Sequence, residues 1–139
     1  MRKILKTNKA LRVLYAEDNE DAREMMSCLL EMSKIEITSA KSSAEAWQTA
    51  QIENFDLYLL DSRFPGSDGL DLCRRLHQYA PLTPIIFYSG DAFESSKQKG
   101  LAAGATAYFI KPDFDNLTSS ILQIGESFKK KSEHFRNGY

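Results

Sequence analysis

The chain has few of the residues that stabilise secreted proteins or bind transition metals. Its two cysteines, Cys28 and Cys73, lack C-x-x-C spacing, so we expect two reduced thiols in core or near-surface positions of a cytoplasmic protein. The two histidines, His77 and His134, have no metal-ligand partner at helical spacing, and we expect both at the surface. A disulfide framework and a histidine metal site are therefore disfavoured.

Long apolar runs and an excess of charge are also missing. No apolar run approaches transmembrane length, and Lys6 and Lys9 interrupt the N-terminal stretch where a secretory signal needs an apolar core. The net charge is only -1, so composition gives no support for binding to nucleic acid or to a membrane. There are no internal repeats and no low-complexity linker. We therefore predict one domain over residues 11–131, with a basic N-terminal extension over residues 1–10 and a solvated C-terminal tail over residues 132–139.

What the chain does have is a regular alternation of short apolar runs with helical patterns. The runs lack polar alternation, which is typical of strands buried on both faces of a parallel sheet. Right-handed crossovers then predict an α/β fold with a doubly wound parallel sheet built from five βα units. For this five-stranded sheet we predict the order 2-1-3-4-5. The predicted strands cover residues 12–16, 35–38, 57–60, 85–88 and 106–110.

Capping residues and apolar spacing place the five helices. Asn19 is a good N-cap, Ser42 begins a capping box, and Asp68 opens the third helix. The helix beginning near Asp91 has a poor apolar stripe, so we expect it to be the least firmly packed and the most mobile. The last helix is predicted over residues 113–131. The apolar face of the first helix is predicted to contain Ala22, Met25, Met26, Leu29 and Leu30.

Reactive side chains follow four of the five predicted strands. Glu17 and Asp18 come directly after the first strand, Asp61 after the third, Ser89 after the fourth and Lys111 after the fifth. The carboxyl ends of parallel strands meet at one edge of the sheet, and the order 2-1-3-4-5 puts the switch point between the first and third strands, which carry the three acids. These groups should therefore share one cleft.

The chemistry of these groups suggests phosphoryl transfer. Three crowded carboxylates repel one another unless they are neutralised, and oxygen ligands of this kind fit Mg²⁺. Lys111 and the hydroxyl of Ser89 are suited to a tetrahedral dianion, and Asp61 is suited to attack it. A surface cluster of acids balanced by one lysine would explain the charges but not their shared position at strand ends. The sequence therefore predicts an aspartate that accepts a phosphoryl group.

Over residues 11 to 130 the chain resembles the receiver domain of the two-component response regulator family, whose fold is flavodoxin-like (βα)5. The resemblance rests on four motifs: Val13-Leu14-Tyr15-Ala16-Glu17-Asp18-Asn19, Asp61-Ser62-Arg63-Phe64-Pro65-Gly66-Ser67-Asp68-Gly69, Ser89-Gly90 and Gly104-Ala105-Thr106-Ala107-Tyr108-Phe109-Ile110-Lys111-Pro112. The departures are mild, since Glu17 stands where aspartate is commoner, Ser89 where threonine is frequent and Phe64 where methionine is usual.

The resemblance implies a role for each site residue. Asp61 would take a phosphoryl group from the phosphohistidine of a sensor histidine kinase or of a histidine phosphotransfer protein. Asp18, Asp61 and the backbone carbonyl of Arg63 would bind Mg²⁺, with Glu17 acting through water, and Lys111 would pair with the phosphoryl oxygens.

The resemblance also implies a switch and a way of tuning its lifetime. Ser89 would move toward the phosphoryl group and Tyr108 would turn inward, which would change a surface that binds a downstream target protein. A strand aromatic with its hydroxyl in solvent is the alternative reading of Tyr108. Arg63 and Asp91 would tune the lifetime of the phosphoryl group, with Arg63 either donating to a phosphoryl oxygen or pairing with Asp91. Members of the family can dimerise through the switch surface when phosphorylated, and the sequence does not decide whether this chain does.

Two alternative functions remain open at the level of sequence. The chain could be a receiver fold used only as a protein-binding adaptor, or a phosphatase that turns over through an aspartyl-phosphate. The phosphatase is disfavoured because Asp61-Ser62-Arg63 has no second acid two residues after Asp61, and we expect no turnover enzyme. We expect no output domain after the fifth predicted helix, which fits either a single-domain regulator or a receiver taken from a larger protein.

Overall fold

The computed structural model describes residues 10–136, with side chains described up to residue 133. The predicted N-terminal extension, apart from Ala10, and the last three residues of the predicted tail lie outside the described residues. These described residues contain seven strands: β1 Leu11–Ala16, β2 Ile35–Ala40, β3 Leu57–Leu60, β4 Arg63–Phe64, β5 Ser67–Asp68, β6 Ile85–Ser89 and β7 Ala107–Ile110. The same part of the chain contains five helices: α1 Glu20–Glu31, α2 Ser43–Ile52, α3 Gly69–Tyr79, α4 Glu94–Ala102 and α5 Phe114–Arg136.

Five strands form a parallel sheet of order β2-β1-β3-β6-β7. Because β4 and β5 form a separate two-residue pair, this order is the predicted 2-1-3-4-5 of the five βα units, and the fold prediction is confirmed. The register pairs Ala16 with Leu60, Leu60 with Phe87, and Ser89 with Ile110. The last residues of β1, β3, β6 and β7 therefore lie along one edge of the sheet.

Alternate strand residues pack on the two faces of the sheet, as the pleat requires. Leu14, Leu60 and Phe87 belong to one buried cluster, whereas Tyr15 and Leu59 belong to the cluster on the other face. All four residues of β3 are buried. Burial on both faces explains why the strand sequences are continuous apolar runs.

The predicted caps begin three of the helices. Asn19 Oδ1 accepts a hydrogen bond from the Ala22 N–H at 2.8 Å, Ser42 Oγ accepts from the Glu45 N–H, and Asp68 Oδ1 accepts from the Leu70 N–H. α4 has no side-chain cap of this kind at its N-cap residue. Its full length is described, and Gly100 alone is buried in it, which agrees with the weak packing expected from its sequence. Its mobility stays a prediction.

Several local expectations were wrong. Met25 was predicted on the buried face of α1, but 62% of the residue is exposed, because α1 turns Met26 and Leu30 toward the sheet instead. α5 continues to Arg136, so a helix occupies part of the predicted tail and extends five residues beyond Lys131. Lys129, Lys130, Lys131 and Glu133 are good helix formers, which favours continuation of the helix there.

The short hairpin of β4 and β5 was also not predicted. Arg63 pairs with Asp68 and Phe64 with Ser67 across a turn that contains Gly66, whose φ is +73°. This left-handed conformation costs glycine little, which explains the Pro-Gly sequence of the turn. The hairpin lies directly after β3 and carries the chain from Asp61 into α3.

The structure also locates the cysteines and one of the two histidines. Cys73 is buried, which raises its pKa to about 12, and Cys28 is exposed; both are free. His77 is exposed as expected, whereas the side chain of His134 lies outside the described residues. Within residues 10–136, no helix has both the length and the apolar character needed to cross a membrane.

Candidate functional site

The reactive side chains predicted at the strand ends come together at the carboxyl edge of the sheet. Glu17, Asp18 and Asp61 each offer a carboxylate oxygen, and these three oxygens lie within 4.8 Å of one another. Glu17 is buried, Asp61 is partly buried and Asp18 is exposed. The three acids thus form one cluster of carboxylates that extends from the core, at Glu17, to solvent, at Asp18.

Lys111 supplies the positive charge of this cluster. Its Nζ donates to Glu17 Oε1 at 2.8 Å and to Asp61 Oδ2 at 3.2 Å. Burial by itself would raise the pKa of Glu17, but the hydrogen bonds from Lys111 and from the Asn19 N–H lower it overall. For Asp61, burial and the neighbouring charge of Glu17 outweigh Lys111, so the pKa is raised. Of the two acids bound to Lys111, Asp61 therefore binds a proton more readily.

Glu17 is bound by two further donors. The Tyr15 hydroxyl donates to Oε1 at 3.2 Å and the Asn19 N–H donates to Oε2 at 3.1 Å. Burial and the charge of Glu17 raise the pKa of Tyr15, so the phenol stays protonated and remains a donor. Tyr15 was not among the predicted site residues, although strand periodicity places residues 15 and 17 on the same side of the chain. Their two-residue spacing was a usable signal.

Ser89, at the end of β6, makes its closest polar contact with a residue that sequence reasoning also missed. Its Oγ lies 2.6 Å from Ser62 Oγ and accepts a hydrogen bond from the Asp91 N–H at 3.0 Å. Ser62 in turn donates its backbone N–H to Asp61 Oδ1 at 2.7 Å. Ser62 thus contacts both Asp61 and Ser89. No pattern in the sequence pointed to it, because its partner lies 27 residues away.

Asp91 joins the cleft to the start of α4 and to β7. Its carboxylate accepts hydrogen bonds from Ser96 Oγ and the Phe93 N–H, which lower its pKa, and its backbone carbonyl accepts one from the Tyr108 hydroxyl at 2.8 Å. Tyr108 is buried, so the alternative with its hydroxyl in solvent is wrong. The aromatic ring already lies inward in this structure.

Arg63 lies at the mouth of the cleft. Its Nη2 is 3.5 Å from Asp91 Oδ2, and its side chain is 79% exposed. Of the two arrangements expected for Arg63, donation to a phosphoryl oxygen or pairing with Asp91, this structure contains the second. The distance is long for an ion pair. An open cleft of about 820 Å³ lies beside the acids, and its lining includes Asp18, Asp61, Arg63, Pro65, Ser89 and Phe93.

Comparison with known proteins places this geometry in a family. A family model described as "Response regulator receiver domain" matches residues 13–122. The transcriptional regulatory protein ResD of Bacillus subtilis is 32% identical over 101 residues, which cover 73% of this chain and 42% of ResD. The transcriptional regulatory protein SrrA of Staphylococcus aureus is 30% identical over 100 residues, covering 72% and 41%. The chain spans less than half the length of these two relatives.

Solved structures are similar over most of the chain. A CheY-like response regulator receiver domain protein from Methanospirillum hungatei has a TM-score of 0.81 at 26% identity, covering 88% of this chain and 98% of that one. The response regulator protein TrrA from Thermotoga maritima, solved in complex with Mg²⁺ and BeF, has a TM-score of 0.76 at 26% identity, covering 82% and 98%.

Proposed function

Since this chain belongs to the response regulator receiver domain family, whose members are phosphorylatable signalling switches, we propose that Asp61 is its phosphoryl acceptor. The observation that carries the proposal is the position of Asp61 in the cleft. Its Oδ2 lies 3.2 Å from Lys111 Nζ, and Asp61 lines the open space beside the acids. Glu17 is buried and bound by three donors, so its carboxylate is poorly placed to attack a substrate.

The proposed reaction uses the groups that surround Asp61. A carboxylate oxygen forms a bond to phosphorus while the bond from phosphorus to a histidine nitrogen of the donor breaks. Lys111 is close enough to pair with the oxygens of the transferred group, where negative charge must be stabilised. The donor that we propose is a sensor histidine kinase or a histidine phosphotransfer protein.

The donor set also fits the divalent ion that such transfer needs. We propose that Asp18, Asp61 and the backbone carbonyl of Arg63 bind Mg²⁺, which would neutralise charge on the transferred group. The three clustered carboxylates offer hard oxygen ligands, as Mg²⁺ prefers. Because Tyr15, Asn19 and Lys111 already bind both oxygens of Glu17, that residue would act through water. The response regulator TrrA, which shares the fold, was solved in complex with Mg²⁺ and BeF, and this supports a divalent metal site in the present chain.

The network beyond the cleft supports a switch. Ser89 accepts a hydrogen bond from the Asp91 N–H, and the Asp91 carbonyl accepts one from the Tyr108 hydroxyl. A movement of Ser89 would therefore shift groups at the start of α4 and on β7. We propose that this surface, together with α5, binds a downstream target protein in the cytoplasm, where the free Cys28 and Cys73 would stay reduced. Turnover as an enzyme is not proposed, because an exposed arginine stands two residues after Asp61 where a phosphatase of this type would need a general acid.

Labelling with a small phosphodonor tests the proposal. In Mg²⁺ and acetyl phosphate, the wild type should gain an acid-stable, base-labile phosphoryl group, and Asp61→Asn should gain none because the amide is not a nucleophile. Asp71→Asn, which changes an exposed acid on α3, is the matched control and should label like the wild type. Equal labelling of Asp61→Asn and the wild type would exclude Asp61. A wild type that takes no label from any donor but still binds a partner would support the adaptor alternative.

A further inference from the structure

Ser89 has a hydroxyl proton that must be donated within the protein. Its side chain is almost fully buried, with 1% of the residue exposed, and its oxygen already accepts the Asp91 N–H. A buried hydroxyl that donates to no acceptor is costly, and although Ser89 lies in the wall of the cleft, only 1% of the residue is exposed, which favours an acceptor within the protein over water. Within the described part of the chain, Ser62 Oγ, at 2.6 Å, is the acceptor in contact with Ser89 Oγ.

Ser62, unlike Ser89, can donate its own hydroxyl proton to solvent. The residue is partly exposed, so its hydroxyl can turn its hydrogen toward solvent while its oxygen accepts. The arrangement that satisfies both hydroxyls therefore has Ser89 as the donor and Ser62 as the acceptor. In this arrangement the one proton of Ser89 is committed to Ser62.

We propose that Ser62 is a positioning residue that holds Ser89 in the unphosphorylated state by accepting its proton. This inference rests on the proposed phosphorylation of Asp61. To donate to a phosphoryl oxygen, Ser89 must release Ser62, so the two acceptors compete for one hydrogen. Ser62 also donates its backbone N–H to Asp61 Oδ1, which places the two competing acceptors on consecutive residues of the chain. The hydrogen bond from Ser89 to Ser62 must therefore be broken before Ser89 can donate to a phosphoryl oxygen, and its free energy opposes that change.

The proposal predicts that Ser62→Ala binds a phosphoryl mimic more tightly. Without its acceptor, the Ser89 proton is unsatisfied until the mimic arrives, so the dissociation constant of beryllofluoride in saturating Mg²⁺ should fall about fivefold, as expected for one neutral hydrogen bond. The affinity for Mg²⁺ alone should not change, because the Ser62 hydroxyl touches none of the three carboxylates in the described contacts. Ser67→Ala is the matched control, since Ser67 forms a comparable hydroxyl pair with Ser43, at 2.9 Å and away from Ser89.

A double-mutant cycle separates this role from a structural one. In a Ser89→Ala background, where there is no proton to hold, adding Ser62→Ala should leave the beryllofluoride affinity unchanged. Ser62→Thr keeps an acceptor and should restore wild-type affinity. Wild-type affinity in Ser62→Ala, weaker binding in that variant, or the same gain in the Ser89→Ala background would each overturn the inference. A wild type that binds no beryllofluoride in Mg²⁺ would instead overturn the proposed function.

Discussion

Replacing Lys111 with methionine tests the electrostatic core of the site, because the variant keeps an apolar stem and removes the ammonium. Lys111 Nζ lies 2.8 Å from Glu17 Oε1 and 3.2 Å from Asp61 Oδ2, and the Glu17 side chain is only 3% exposed. Removing one partner of a buried ion pair typically costs about 3–5 kcal/mol, since the remaining charge is left desolvated. Lys111 is 30% exposed and Glu17 keeps donors from Tyr15 and Asn19, so we expect the lower end, about 3 kcal/mol at neutral pH.

The stability cost of Lys111→Met should depend on pH. In the wild type the pKa of Glu17 is lowered, so its contribution to stability is present above the ordinary pKa of a glutamic acid and is lost as pH falls through the lowered value. In Lys111→Met, burial without a cation should raise the pKa of Glu17, and that of Asp61 should rise further. Protonation then relieves the penalty as pH falls. The loss of stability measured at neutral pH should therefore shrink at about pH 5.

Urea unfolding followed by circular dichroism, in EDTA at the two pH values, measures this difference. Lys130→Met, which changes an exposed lysine of α5, should stay within about 0.5 kcal/mol of the wild type. Combining Lys111→Met with Glu17→Gln should cost less than the sum of the single changes, because the buried charge is removed together with its partner. Equal losses at both pH values, or additive costs, would refute the reasoning.

Three further outcomes are expected. Mg²⁺ should raise the melting temperature of the wild type, and much less that of Asp18→Ala, in a thermal shift assay; equal shifts would mean that Asp18 is not a ligand. Arg63→Asn should lose its phosphoryl label several-fold faster than the wild type, since the Arg63 and Asp91 pair at the cleft mouth would no longer obstruct the attacking water; identical first-order decay would remove Arg63 from any role in lifetime. Gly69→Ala should lower the free energy of unfolding in urea by about 3 kcal/mol, because the added Cβ would collide with the backbone carbonyl of Asp61. Gly66→Ala has open space for the Cβ but a positive φ, so it should lower that free energy by only about 1 kcal/mol. A larger loss in Gly66→Ala than in Gly69→Ala would contradict these two causes.

The amino-acid sequence by itself determined the architecture and the location of the site. Continuous apolar runs such as Leu57–Leu60 require burial on both faces, and the alternation with capped helices then leaves a parallel doubly wound sheet as the consistent topology. Because parallel strands end at a common edge, the position of Asp61 and Lys111 in the chain was enough to place them together. These inferences succeed because they depend on local periodicity and on a topological rule that holds whatever the details of packing.

Only the tertiary structure decided which groups bind one another inside the site. Lys111 lies 2.8 Å from Glu17 and 3.2 Å from Asp61, and Ser89 lies 2.6 Å from Ser62, and these pairings depend on side-chain positions that packing sets. Spacing along a strand or helix does not set such distances.

The rotation of the helices about their axes is a tertiary property for the same reason. Met25 and Met26 both fit an apolar stripe in the sequence, but only one of the two can face the sheet, and packing turned Met26 inward. The inward position of Tyr108 likewise depends on the Asp91 carbonyl, which a loop brings to it from 17 residues away. The sequence thus determined where the chemistry lies, whereas side-chain packing across the sheet decided how its members are connected.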